Sequence, residues 1–185
     1  MDEAAQICVE YQDDFVIAHE QLMDELRNNV AWDERMRARR TASFGRPYNY
    51  SGMVYPEVVI PANIEQIRAA VAVRCAFEPN NCLVNYYELG RYTMGFHADN
   101  TTELVAATGV AVVSLGATRT MVFREIAHRD RELRLALRGG SLLYLPPHVH
   151  HAWLHGIPRE RGAGPRISLT FRALNVLATQ QDARQ

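Results

Sequence analysis

The segment Arg166-Ile167-Ser168-Leu169-Thr170-Phe171-Arg172 decides how the rest of the chain is read. Its residues alternate. On an extended strand Ile167, Leu169 and Phe171 share one face, and Arg166, Ser168, Thr170 and Arg172 share the other. The apolar face asks for a core. The polar face sets two guanidiniums and two hydroxyls together, which are costly to bury unless an anion meets them. Arginine grips carboxylates in bidentate fashion, so a small dicarboxylate is a natural partner. A solvated edge strand would show the same alternation with no ligand at all.

Working back from this segment, Cys82–Tyr87, Gly109–Leu115, Thr120–Arg124, Leu133–Leu137 and Ser141–Leu145 also read as short strands. Most are rich in β-branched, Leu or aromatic residues and bounded by Gly, Pro, Asn or Asp. Gly139-Gly140 marks a tight turn. The first eighty residues differ. Ala18–Asn28 reads as a helix with Leu22, Met23 and Leu26 on one side. Pro61–Cys75 reads as a second, with Ile64, Ile67, Val71 and Cys75 in phase and Asn63 as N-cap. Trp32–Pro56, with Gly45, Pro47, Gly52 and three tyrosines, reads as loops or short strands, a lid or a packed connection. The fold expected is α+β, mainly β: a sandwich or jelly-roll core with N-terminal helical support.

Composition narrows the chemistry. All twenty basic residues are Arg, set against twenty-one acidic residues for a net charge of −1. With no lysine there is no Walker-type phosphate loop and no Schiff base, so pyridoxal phosphate chemistry is excluded. A general basic coat for nucleic acid is not expected, although local arginine clusters could grip phosphates. The 185 residues, 48% hydrophobic and 22% charged, suit one soluble domain, residues 1–185. No apolar run is long enough to span a bilayer. Cys8, Cys75 and Cys82 show no metal spacing and fit a reducing, cytoplasmic compartment. A monomer is expected.

Two further elements carry chemistry. In His97-Ala98-Asp99 the imidazole and the carboxylate would face one point if the backbone is extended. Downstream, His148, His150, His151 and His155 place four histidines in eight residues after Pro146-Pro147. Two histidines and one carboxylate with open positions make the facial triad of non-haem Fe(II) oxygenases. Periodicity does not say which histidine of the cluster is the ligand. Most of the four are expected to be structural or surface residues.

Together these elements resemble the AlkB family of Fe(II)- and 2-oxoglutarate-dependent dioxygenases. Asn85-Tyr86-Tyr87-Glu88-Leu89-Gly90 followed by His97-Ala98-Asp99 is similar to its N-x-Y…G…H-x-D block. Ser114-Leu115-Gly116 and Phe123-Arg124 resemble the next strand pair, and Trp153-Leu154-His155-Gly156-Ile157 the distal histidine block. Arg166–Arg172 resembles R-x-N-x-T-x-R. The likeness is firm from Asn85 to Arg172 and looser over Thr41–Gly52, similar to the family's substrate-covering loops. It implies a double-stranded β-helix, a jelly-roll variant, over residues 81–174. Before it would lie the helices and lid (1–80), and after it a tail (175–185). It implies Fe(II) held by His97, Asp99 and His155, and 2-oxoglutarate held by Asn85, Tyr87, Arg166 and Arg172, with Thr170 lining the pocket. The implied reaction consumes O₂ and 2-oxoglutarate, and removal of an N-methyl group would release formaldehyde.

The sequence departs from that pattern twice. Ser168 stands where the signature has asparagine. After Asp99 come Asn100-Thr101-Thr102, where DNA-repair members often carry acids that read a flipped base, so substrate choice is affected more than catalysis. For the substrate side, Arg35, Arg37, Arg39 and Arg40 form a basic run, and Trp32, Phe44, Tyr48, Tyr50 or Tyr55 could stack a base. Arg40, Phe44, Tyr48, Tyr50, Asn100 and Thr101 are the candidate substrate residues. The reaction expected is N-dealkylation of bases in single-stranded or damaged nucleic acid, through base flipping. The alternatives are hydroxylation or demethylation of a small metabolite by the same core, and a non-catalytic cupin-like binding module. Arg129, Arg131, Arg134 and Arg138 alternate with acids and read as a solvated strand face.

Overall fold

The structure is a computed structural model that describes residues 3–50 and 52–175, so most of the expected tail lies outside the described residues. The elements in chain order are α1 (Glu3–Ile7), β1 (Glu10–Gln12), α2 (His19–Asn29), β2 (Arg40–Gly45), β3 (Tyr48–Tyr50), β4 (Met53–Tyr55), α3 (Ala62–Cys75), β5 (Asn81–Tyr87), β6 (Met94–His97), β7 (Val110–Gly116), β8 (Arg119–Glu125), β9 (Glu132–Leu137), β10 (Leu142–Leu145), α4 (Val149–Ala152), β11 (Trp153–Ile157) and β12 (Arg166–Arg172). Each expected helix and strand is present, displaced by a residue at most. The N-cap of α3 is a correction. The helix starts after Pro61 with no side-chain cap, and Asn63 Oδ1 instead accepts from the next amide, Ile64 N, at 2.9 Å.

Two antiparallel sheets form the jelly-roll core. The larger runs β1-β10-β7-β12-β5-β2 and the smaller β6-β11-β8-β9, with β3 and β4 as a separate hairpin. β12 is not an edge strand. It sits between β5 and β7, and all seven of its residues are buried. Two strands of this sheet, β1 and β2, come from the N-terminal eighty residues. Thr41–Gly45, expected in a covering loop, is therefore part of the sheet, paired with Cys82–Asn85 and Asn81 of β5.

The alternation in β12 sorts two cores. Ile167, Leu169 and Phe171 pack with Leu22, Met23 and Leu26 of α2 and Ile64 and Val71 of α3 on the outer face of the large sheet. The inner face meets the small sheet over Leu83, Val112, Met121, Phe123, Leu143 and Ile157. Burying one such side chain stabilises by roughly 1.5–3 kcal/mol, so both faces contribute. The polar face of β12 is left pointing into the space between the sheets. The Gly139-Gly140 turn joins β9 to β10, with Gly140 at φ +80°, a conformation that suits glycine.

Candidate active site

His97 ends β6 and lies directly opposite His155 of β11 in the ladder. Their rings are 4.5 Å apart. Register shifts just after His155, between it and Ile157, and Gly156 lets the strands close, since a Cβ there would stand 2.9 Å from the Met94 carbonyl. Asp99 follows in the loop and is buried. His97, Asp99 and His155 each offer one ligand atom, all within 4.8 Å of one another. His97 Nδ1 faces the Gly95 carbonyl at 2.9 Å, so a proton there leaves Nε2 as the free donor atom.

Electrostatics prepare these groups for a cation. Burial alone would raise Asp99, but Arg172 and the surrounding imidazoles more than offset it and hold the carboxyl well below its ordinary range. Arg172 donates to Asp99 Oδ1, and His155 Nε2 stands 3.6 Å from Oδ2. Burial, opposed by Asp99, pushes His155 down to about 3. A neutral His155 imidazole and an ionised Asp99 carboxylate are states a divalent metal needs. The donor set fits Fe(II), with positions left for a chelating cosubstrate.

The same cavity is lined by Asn85, Tyr87, Arg166, Ser168, Thr170 and Arg172. All five residues expected to hold or line the 2-oxoglutarate site thus stand beside His97, Asp99 and His155. Arg166 is buried, donates from Nη2 to Ser114 Oγ at 2.9 Å, and has no hydrogen-bond partner for its Nε among the described residues. Burial lowers it to about 10, so it stays cationic at neutral pH. A buried guanidinium with an orphan donor on a cavity wall fits a carboxylate ligand. Tyr87 is flanked by Arg166 and Arg119, whose guanidiniums lie 5.3 and 5.6 Å from its ring centroid. Ser168, in place of asparagine, pairs across the ladder with Asn85 and Ser114 and lines the cavity.

The substrate candidates divide. Tyr48 is buried near the site, with Arg172 4.9 Å above its ring. The side chain of Tyr50 lies outside the described residues. Arg40 and Phe44 belong to the outer face of β2. Arg40 pairs with Glu34 at 3.0 Å and lies over Tyr86, and Phe44 packs against the helix-side core. Asn100 is engaged locally, accepting from Thr102 N at 3.1 Å as the cap of a short 3₁₀ turn that includes Thr101. The basic run is also divided, because Arg35 pairs with Asp33. Trp32 stacks on Tyr86 rather than facing the cavity.

The sequence places Arg39 only in the basic run, and its contact with Asn85 emerges from the structure. Arg39 is buried, donates from Nε to Asn85 Oδ1 at 2.8 Å, and reaches the Thr93 carbonyl from Nη1. The register of β2 on β5, with Thr41 opposite Asn85, carried the signal, but only once the pairing was known. Tyr55, one of the residues expected to be able to stack a base, lines a separate cavity with Thr41, its hydroxyl 2.7 Å from Thr41 Oγ1.

Comparison with known proteins agrees with this geometry. The profile of the 2OG-Fe(II) oxygenase superfamily matches residues 2–172. The mouse DNA oxidative demethylase ALKBH2 is 34% identical over 148 residues, covering 74% of this chain and 62% of that protein. The mouse alpha-ketoglutarate-dependent dioxygenase alkB homolog 3 is 23% identical over 173 residues, covering 83% of this chain and 60% of that protein. The chain thus spans about three fifths of the length of these relatives. The solved structure of OsALKBH1 superposes with a TM-score of 0.67 at 16% identity, over 89% of this chain and 97% of that one, a likeness of fold. No helix among the described residues is long and apolar enough to cross a membrane. With the His-Asp-His centre and the arginine-lined cavity beside the profile match, the chain belongs to the 2OG-Fe(II) oxygenase superfamily; its site residues fit Fe(II) and 2-oxoglutarate, and its sequence is similar to AlkB-type proteins.

Proposed function

We propose that the protein removes N-alkyl groups from nucleobases in single-stranded or damaged DNA or RNA. The observation that carries this reading is the single cavity in which His97, Asp99 and His155 meet Asn85, Tyr87, Arg166 and Arg172. The substrate class is supported by a relative whose name is DNA oxidative demethylase. The protein is proposed to act as a monomer in the cytoplasm, where its three free cysteines suit a reducing environment.

Fe(II) with bound 2-oxoglutarate supplies oxidative hydroxylation of a C–H bond held beside it. The chain's own residues do the rest. His97, Asp99 and His155 would hold the ion on one side and leave its other positions open. Arg166 and Arg172, fixed in the central strand, supply positive charge at the two ends of the same strand face. Arg39 accepts no role in coordination; it takes Asn85 Oδ1 and so leaves the Asn85 amide N–H groups for a carboxylate. Tyr87 and the apolar wall of Leu83, Met94, Val112, Met121 and Ile157 limit water.

One set of observations favours a second reading, a small metabolite substrate. Arg35 and Arg40 are paired with acids, and Asn100 is spent on a turn, so the expected nucleic-acid patch is weaker than the sequence implied. The test is incubation of the purified protein with Fe(II), 2-oxoglutarate and oligonucleotides carrying N-methylated bases. Loss of the methyl group by mass spectrometry supports the nucleic-acid reading. Succinate production that no methylated DNA or RNA stimulates favours the small molecule.

A further inference from the structure

The histidine cluster holds a residue that the ligand set does not use. His148 and His151 are exposed, but His150 is only 4% exposed. The one-turn helix α4 turns it inward, pinned by the fully buried Val149 beside it. Among the described residues neither ring nitrogen of His150 has a hydrogen-bond partner. Buried polar atoms are normally paired, and one left without a partner in a native site calls for a reason.

His150 Nδ1 stands 3.7 Å from Asp99 Oδ2, and its ring centroid is 6.1 Å from that of His155. Asp99 is therefore bracketed. Arg172 takes Oδ1, while Oδ2 looks toward His155 and His150. A neutral imidazole has one N–H to give, and the adjacent anionic oxygen favours placing it on Nδ1.

We propose that His150 is a positioning residue for the metal centre, steering the Asp99 carboxylate from the side opposite Arg172 so that it presents one oxygen to the ion. This rests on the metal site described above, not on the identity of the substrate. Ligating carboxylates are commonly fixed by such outer donors, and losing one typically costs about 10–100-fold in metal affinity.

The test uses Mn(II) as an air-stable probe, titrated calorimetrically into the whole protein without cosubstrate. Wild type should bind one ion. His150→Ala and His150→Leu should bind about 10–100-fold more weakly, and His150→Gln, which keeps a donor, should recover most of the loss. Leu restores apolar volume, so its thermal midpoint separates packing from positioning. Mn(II) affinity equal to wild type in the Leu or Ala variant overturns the proposal, even if the midpoint falls. A Gln variant as weak as Leu also overturns it. Failure of wild type to bind Mn(II) at all would instead bring down the metal site itself.

Discussion

Arg39 Nε donates to Asn85 Oδ1 at 2.8 Å, joining the residue just before β2 to the wall of the central cavity. The contact is buried and charge-assisted, and it fixes which end of the Asn85 amide faces the cavity. Arg39→Met keeps most of the side-chain volume and removes the donor. A hydrogen bond to a charged group is worth about 1.5–3 kcal/mol, roughly 10–100-fold in binding. The 2-oxoglutarate KM should rise within that range with a smaller change in kcat, measured as succinate release.

Arg166→Lys keeps the charge but loses the planar fork and the bond from Nη2 to Ser114. We expect 2-oxoglutarate binding to weaken about 10-fold or more, while Mn(II) affinity stays within about 2-fold, because Arg172, not Arg166, touches Asp99. Isothermal titration with each ligand separately checks both halves.

The acid side of the stability profile follows from His155. Its unfolded value is about 6.5, and burial pushes the folded value down to about 3. Between those two pH values the unfolded chain binds the extra proton, so stability falls as pH falls. Asp99 adds loss of the same sign at lower pH, below its unfolded value of about 3.9. The metal-free protein should lose up to about 1.4 kcal/mol per pH unit from His155 on acidification below pH 6.5. Denaturant midpoints from pH 4 to 7 should show that slope, and His155→Gln should flatten it.

Gly90 clamps the loop between β11 and β12 to the end of β5. It donates to the Ala163 carbonyl at 3.0 Å and accepts from Glu160 N at 2.8 Å. A Cβ at Gly90 would fall 1.7 Å from the Glu160 carbonyl oxygen, where backbone must move. Overpacking of this kind costs about 1–3 kcal/mol. Gly90→Ala should lower the thermal midpoint by roughly 2–10 °C, read by calorimetry.

Much of this is legible in the sequence. The alternation in Arg166–Arg172 predicts both faces of β12 correctly, because a strand with a core on one side and a charged cavity on the other repeats every two residues. The candidate metal ligands on β6 and its following loop are also readable, since His97 and Asp99 are close in sequence. Periodicity does not choose among the four histidines, because α4 breaks the strand period just before His155 and turns His150 inward; only the family resemblance points to His155. For a related reason the sequence does not separate Arg39 from Arg40. A run of arginines has no phase of its own, and only the pairing of β2 with β5 says which member faces Asn85. Phe44 went the same way, to the helix side of the sheet.

The most direct test of the account measures succinate and formaldehyde together from N-methylated single-stranded oligonucleotide, Fe(II), 2-oxoglutarate and O₂. The account predicts that both form in about equal amounts, as a coupled reaction requires, and that both vanish in His97→Ala. Succinate without formaldehyde from every methylated DNA and RNA tried would contradict the proposed reaction.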